Sequence, residues 1–277
     1  MKKKLFSVLT TGALALSLLA PAVVPGNTAE AATTPKWDVE RYGDRIDVDG
    51  QLNTLANDED FLKEAEAKIK EQAEEIQFDE AEENSSSTSG ASITNVGETK
   101  LFLDRNLAFK RFTLRSVGEN VEIWVANDLS FPKGDPRPAH VVTQEQVDKL
   151  RDEFDSNIYP KATEFFGTPD QLDGSHSPLP GMVGLPEGYY EGSDKVIMLV
   201  DNIQDDNYND PNYPFFVAGF FWQTLENYMD RNIITIDTNS WETRLENTFF
   251  GTTIHELQHL IHADNDSDEE TWINEGM

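Results

Sequence analysis

The pattern of hydrophobic and polar positions divides the chain into a helical front and a body of mixed strands and helices. Within residues 32–83, Leu62, Ala65, Ile69, Ala73 and Ile76 recur at helical spacing with Glu and Lys between them, which predicts a helix with one apolar face. From about Thr94 the texture changes. "TKLFLD", "KRFTLRSV" and "NVEIWVAND" predict short strands, with Phe112 and Leu114, then Val121, Ile123 and Val125, alternating. A helix follows: Thr143 and Gln146 form a capping box, and Val147, Leu150, Phe154 and Ile158 share one face. A Pro- and Gly-rich loop runs from about Gly167 to Gly192. "KVIMLVD", Lys195 to Asp201, is a continuous apolar run and predicts a buried strand. "VAGFFW" (Val217–Trp222) and "RNIITID" (around Asn232–Asp237) are further strands, and after Trp241 the pattern is helical with one break. The order predicts an α+β layout without internal repeats.

Charge and composition narrow the class. Asp and Glu number 51 against 22 Lys and Arg, a formal net charge of −29. That excess excludes nucleic acid and anionic membrane surfaces as partners, because both need basic residues to displace counterions. Dense carboxylates are, in contrast, the hard oxygen ligands that calcium prefers. There is no cysteine, so disulfides, a thiolate nucleophile and a Cys-type zinc site are all excluded, and any metal must be held by His and carboxylate.

The N-terminus carries an address. Lys2, Lys3 and Lys4 precede an apolar run from Leu5 to about Val24, and Ala29-Glu30-Ala31 supplies a small-residue cleavage site. This pattern predicts a secretory signal peptide over residues 1–31, and hence an extracellular protein without stable membrane insertion after cleavage. Ser, Thr, Gly and Pro21 within the run argue against a membrane anchor. The stretch "EENSSSTSGAS", Glu82 to Ser92, predicts a solvated linker centred on residues 84–93. The acidic segment 32–83 between them fits two roles, a solvated spacer or a propeptide.

The chemistry concentrates in "TTIHELQHLIH", Thr252 to His262. His255 and His259 are four residues apart, so on a helix both imidazoles lie on one face and can reach a single Zn²⁺. Glu256 sits beside the first His, where its carboxylate can take a proton from water at the metal. Phe250, Ile254, Leu257 and Ile261 are expected to form the buried face of this helix. Two His leave zinc short of a third protein ligand, and His262, the acidic run after it and Glu275 are the candidates. His262 lies about 10 Å along the axis from His255 at 1.5 Å per residue, which favours a supporting or solvent-facing role over ligation. From Asp264 to Glu270 the run "DNDSDEE" is expected to break the helix. It fits a polar turn, with Ser267 and Glu270 capping the next helix. It also fits a calcium loop, since carboxylates alternate at Asp264, Asp266 and Asp268. A short turn there would fold "TWINEGM" back beside the first helix and face Glu275 to the two His.

The pair H-E-x-x-H and W-I-N-E-G resembles the gluzincin group of zinc metallopeptidases. The form "HELQHLIH…ETWINEGM", with fifteen residues between His259 and Glu275, is most similar to the secreted bacterial hyicolysin family. The resemblance is strong over about Asn232 to Met277 and loose over the preceding hundred residues. It implies a zincin-like α+β domain over residues 94–277, built from a mixed sheet and an active-site helix pair. It implies His255, His259 and Glu275 as zinc ligands and Glu256 as general base of a secreted endopeptidase acting on polypeptides with a zinc-activated water. In the family a carboxylate four residues beyond the ligand Glu orients the first His, and a Tyr or His farther on stabilises the oxyanion. Both positions would lie past residue 277, so the domain is expected to be incomplete at its C-terminus. The rival expectation is a non-catalytic secreted calcium-binding or adhesion protein with a relict zinc motif.

Overall fold

The computed structural model describes residues 48–76 and 95–265. The signal segment 1–31, the linker 84–93, Asp266, Ser267, Asp268, Glu270 and Glu275 lie outside the described residues. Two helices come first, α1 (Val48–Ala56) and α2 (Glu59–Glu75). The Asp58 carboxylate accepts the backbone N–H groups of Asp60 and Phe61 and so caps α2.

Six strands follow: β1 (Thr99–Leu103), β2 (Phe109–Val117), β3 (Val121–Ala126), β4 (Val196–Asp201), β5 (Gly219–Phe221) and β6 (Ile233–Asp237). They form one mixed sheet in the order β1-β2-β3-β4-β6-β5. The central strands β3, β4 and β6 are parallel, while β1 and β2 on one side and β5 on the other run antiparallel to their neighbours. The α+β class and the mixed sheet match the sequence pattern. "VAGFFW" contributes only three residues to the sheet, as its last strand, with Phe220, Phe221 and Trp222 buried in the core.

Burial along β2 alternates as expected, with Phe112, Leu114 and Ser116 facing inward. β3 does not alternate: all six of its residues are buried. Both faces of β3 are covered, so the polar position Glu122 had to be neutralised rather than exposed. Arg231 lies 3.4 Å from the Glu122 carboxylate, the Trp124 indole N–H donates to it at 3.2 Å, and Ser193 Oγ donates at 2.8 Å.

Between β3 and β4 run α3 (Gln144–Glu153), a π-helical turn (Phe154–Ile158), α4 (Tyr159–Phe166) and the short α5 (Leu179–Val183). Both hydrogen bonds of the Thr143–Gln146 capping box are present. The buried positions Leu150, Phe154, Ile158 and Ala162 are spaced by four, which would drift around an ordinary α-helix of 3.6 residues per turn. The wider turn takes up that drift, and it lies just before Pro160, which has no N–H to give the ladder.

The remaining helices are α6 (Asp206–Asn209), α7 (Gln223–Met229), α8 (Trp241–Asn247) and α9 (Phe249–Asn265). α8 and α9 are separated at Thr248, a break that the sequence pattern did not place, and there the Trp241 ring meets Phe249 edge-on at 4.7 Å. Asp264 does not break α9, which continues to Asn265. Phe249 rather than Phe250 leads its buried face, and Ile254 is only partly covered.

Residues 48–76 pack into the same core as the sheet rather than lying in solvent. Ile69 is fully buried with Ala65 and Ala73 beside it. The Phe109 N–H donates to Gln72 Oε1 at 3.1 Å, and the Trp222 indole N–H donates to the Leu52 carbonyl at 3.1 Å. Among the described residues, no helix is long and apolar enough to cross a membrane.

Two carboxylates are buried where β4 and β6 end side by side, Asp201 opposite Asp237. Burial pushes Asp201 up to about 6, against the pull of the Lys110 ammonium that bonds it, and Asp237 up to about 7. Both values lie above that of an exposed Asp, so the folded chain holds protons that the unfolded chain has released. Stability should therefore fall as pH rises from about 4 to about 7. His140, lowered by burial and by Arg137, works in the opposite sense below about pH 6.5, but Glu226 and Asp264 are raised along with Asp201 and Asp237 and outweigh it. Calorimetry of the metal-free chain should show Tm falling between about pH 5 and pH 8; a rising Tm would contradict the burial of these carboxyls. Separately, Ile69→Ala should cost about 2–5 kcal/mol in urea unfolding, and a loss well below about 1 kcal/mol would remove α2 from the core.

Candidate metal centre

The candidate chemistry sits on α9, which packs against β5, β6 and α4. Four-residue spacing brings the two imidazoles together: His255 Nε2 and His259 Nε2 lie 3.0 Å apart, with the ring planes at 76°. Nitrogens bound to one tetrahedral zinc at 2.0–2.1 Å would be about 3.3 Å apart, so the pair fits one metal ion with an adjustment of a few tenths of an ångström. His259 is buried and His255 partly covered, which leaves one ring deep in the fold and the other nearer solvent. Two neutral imidazoles and a carboxylate are the donor types zinc takes.

Glu256 is buried between α9 and the edge of the sheet. Its neighbour across the gap is Gly219, the first residue of β5. A β-carbon there would lie 3.1 Å from Glu256 Cγ, 3.0 Å from Thr252 Cγ2 and 3.0 Å from the Thr235 carbonyl oxygen. Helix and strand therefore approach as closely as they do because position 219 has no side chain. Arg244 fixes the same corner. Its guanidinium donates to the carbonyls of Asp237 at 2.9 Å, Asn239 at 3.2 Å and Ala218 at 3.0 Å, joining the end of β6 to the residue before β5. Asp205 adds a second tie, accepting the Val217 N–H at 2.6 Å.

β5 pairs with β6 through Gly219, Phe220 and Phe221 and is the last strand of the sheet. Among the described residues its outer edge has no strand partner, and Glu256 approaches the strand at the side-chain position of Gly219.

The other predicted residues fall in different places. His262 is buried against α4, its ring edge-on to Phe166 at 5.5 Å between centroids, so it anchors α9 to α4 from within the core. Asp264 lies beside Asp170, whose N–H it accepts at 2.9 Å. Gly219, Arg244 and the edge position of β5 carry no motif. A glycine inside a strand pattern is nonetheless a sign of close backbone approach, and "VAGFFW" contains one.

Gly219→Ala should therefore cost about 1–3 kcal/mol, the range for forcing an extra methyl into a packed contact. Urea unfolding reads this directly, and an unchanged midpoint would show that α9 and β5 are not in contact there.

No protein-family model matches the chain, and no curated protein matches it.

Proposed function

We propose that this chain is a secreted zinc-dependent endopeptidase with a zincin-like domain. The observation that carries the proposal is the convergence of His255 and His259 Nε2 to 3.0 Å, with Glu256 buried one residue along the same helix and against the edge strand. His255 and His259 would hold the zinc, with Glu275 as the third ligand on the strength of its W-I-N-E-G context. When bound, zinc supplies Lewis acidity, polarising a substrate carbonyl and lowering the pKa of water to about 7.

The chain's own residues do the rest. Glu256 accepts a proton from the attacking water and returns it to the leaving amine. Its burial excludes competing solvent from that exchange and holds the carboxylate at one place on α9. The outer edge of β5, which has no strand partner among the described residues, would pair with an extended peptide whose backbone adds to the sheet as a further strand. Gly219 lets β5 lie close to the helix. The acidic surface and the signal segment fit a polypeptide substrate met outside the cell and no nucleic-acid partner.

Casein hydrolysis by the zinc-loaded full chain tests this. Glu256→Gln should lower kcat/KM about 10²–10⁴-fold, the contribution of a positioned general base, without loss of bound zinc. His259→Ala should lose zinc and activity together. Hydrolysis that survives Glu256→Gln, or that persists in excess chelator, would overturn the proposal.

A further inference from the structure

A second acidic centre lies at the other end of α9. A pocket of about 320 Å³ opens between α7, the last described turn of α9 and the segment after α4. Oxygen-bearing side chains line it: Asp170, Gln223, Glu226, Asn227, Asp230 and Asp264. Gln223, Glu226, Asn227 and Asp230 follow i, i+3, i+4, i+7 spacing, so α7 and its C-cap turn one polar stripe toward the pocket. Asp264 reaches it from α9 and Asp170 from the far wall. The wall is itself fixed, because the Asn232 amide donates to the Asp170 carbonyl at 2.8 Å.

Glu226 distinguishes this pocket from an ordinary acidic surface. It is the one buried residue of the lining, only 4% exposed. The Ile233 N–H donates to its carboxylate, yet Oε1 is buried with no hydrogen-bond partner. A buried carboxylate oxygen without a donor costs free energy unless a proton or a cation satisfies it. The neighbouring carboxylates make the charged form worse. Burial and the charges of Asp264 and Asp170 hold Glu226 well above the usual carboxylate range, and burial and Asp170 push Asp264 up to about 6. No Lys or Arg lines the pocket.

We propose that this pocket is a binding site for a hard divalent cation, calcium, anchored by the carboxylates of Glu226 and Asp264, with Asp170 and the α7 stripe completing an oxygen shell. Carboxylate and amide oxygens of this kind are the donors that calcium takes. The nearby triad Asp173, His176 and Asp230 brings its ligand atoms within 4.8 Å of one another but is explained by the loop itself. Asp173 Oδ1 accepts the Ser175 N–H at 3.0 Å and Asp230 Oδ2 accepts the His176 N–H at 2.8 Å. The bound cation would tie the end of the His-bearing helix to the helix that follows the edge strand. The site does not depend on the zinc proposal. It draws on Asp264 from the expected calcium loop but takes its other ligands from distant parts of the chain.

Calorimetric titration of the metal-stripped full chain with calcium chloride alone tests it. The wild type should take up calcium at submillimolar to millimolar affinity, with a rise in Tm. Glu226→Gln and Asp264→Asn should each weaken binding at least about tenfold and abolish the Tm shift, as expected for losing one charged ligand. A His255→Ala/His259→Ala variant should bind calcium as the wild type does. Should Glu226→Gln fail to fold, Asp264→Asn, at a partly exposed position, carries the test. No uptake up to about 5 mM calcium, or uptake unchanged in both carboxylate variants, would overturn the proposal. So would loss of calcium binding in the His variant, which would place the ion at the His pair.

Discussion

At Gly219 the edge strand and α9 approach so closely that a β-carbon would lie 3.0 Å from Thr252 Cγ2 and 3.1 Å from Glu256 Cγ. The site depends on this contact. A helix lying farther off would still carry two His on one face, because its own periodicity guarantees that. It would not bury Glu256 against the strand. Arg244 and Asp205 hold the strand at that corner through Ala218 and Val217, while Phe166 receives His262 on another side of the helix.

The large acid excess is handled in three ways in the fold. Glu122 is buried and neutralised by Arg231 and two neutral donors. Asp201 and Asp237 are buried at the strand ends and shifted upward, held by Lys110 and by backbone N–H groups. Glu226 and Asp264 are gathered at a pocket with no Lys or Arg in its lining. The first two arrangements complete themselves within the chain. The third does not, and this difference separates a structural carboxylate from a ligand in waiting.

Much of the architecture was legible because periodicity and hydrophobicity act locally. The Thr143 capping box, the buried run of β4 and the apolar face of α2 all follow from neighbours in sequence. Glu122 was not legible, since its burial depends on Arg231 more than a hundred residues away. α7 was missed because "QTLENYM" is short and its polar stripe faces a pocket rather than solvent. The His255–Glu256–His259 group was readable because one helical turn fixes it. The gathering of Asp170, Glu226 and Asp264 was not, because three separate elements must fold before these carboxylates meet.

The central claim is that His255 and His259 jointly hold one zinc ion beside Glu256. X-ray absorption at the zinc edge, on the full chain loaded with one equivalent, tests it most directly. Two imidazole nitrogens at about 2.0–2.1 Å, with oxygen ligands completing a four-coordinate shell, are the predicted result. A shell of oxygen donors without imidazole scattering would contradict it.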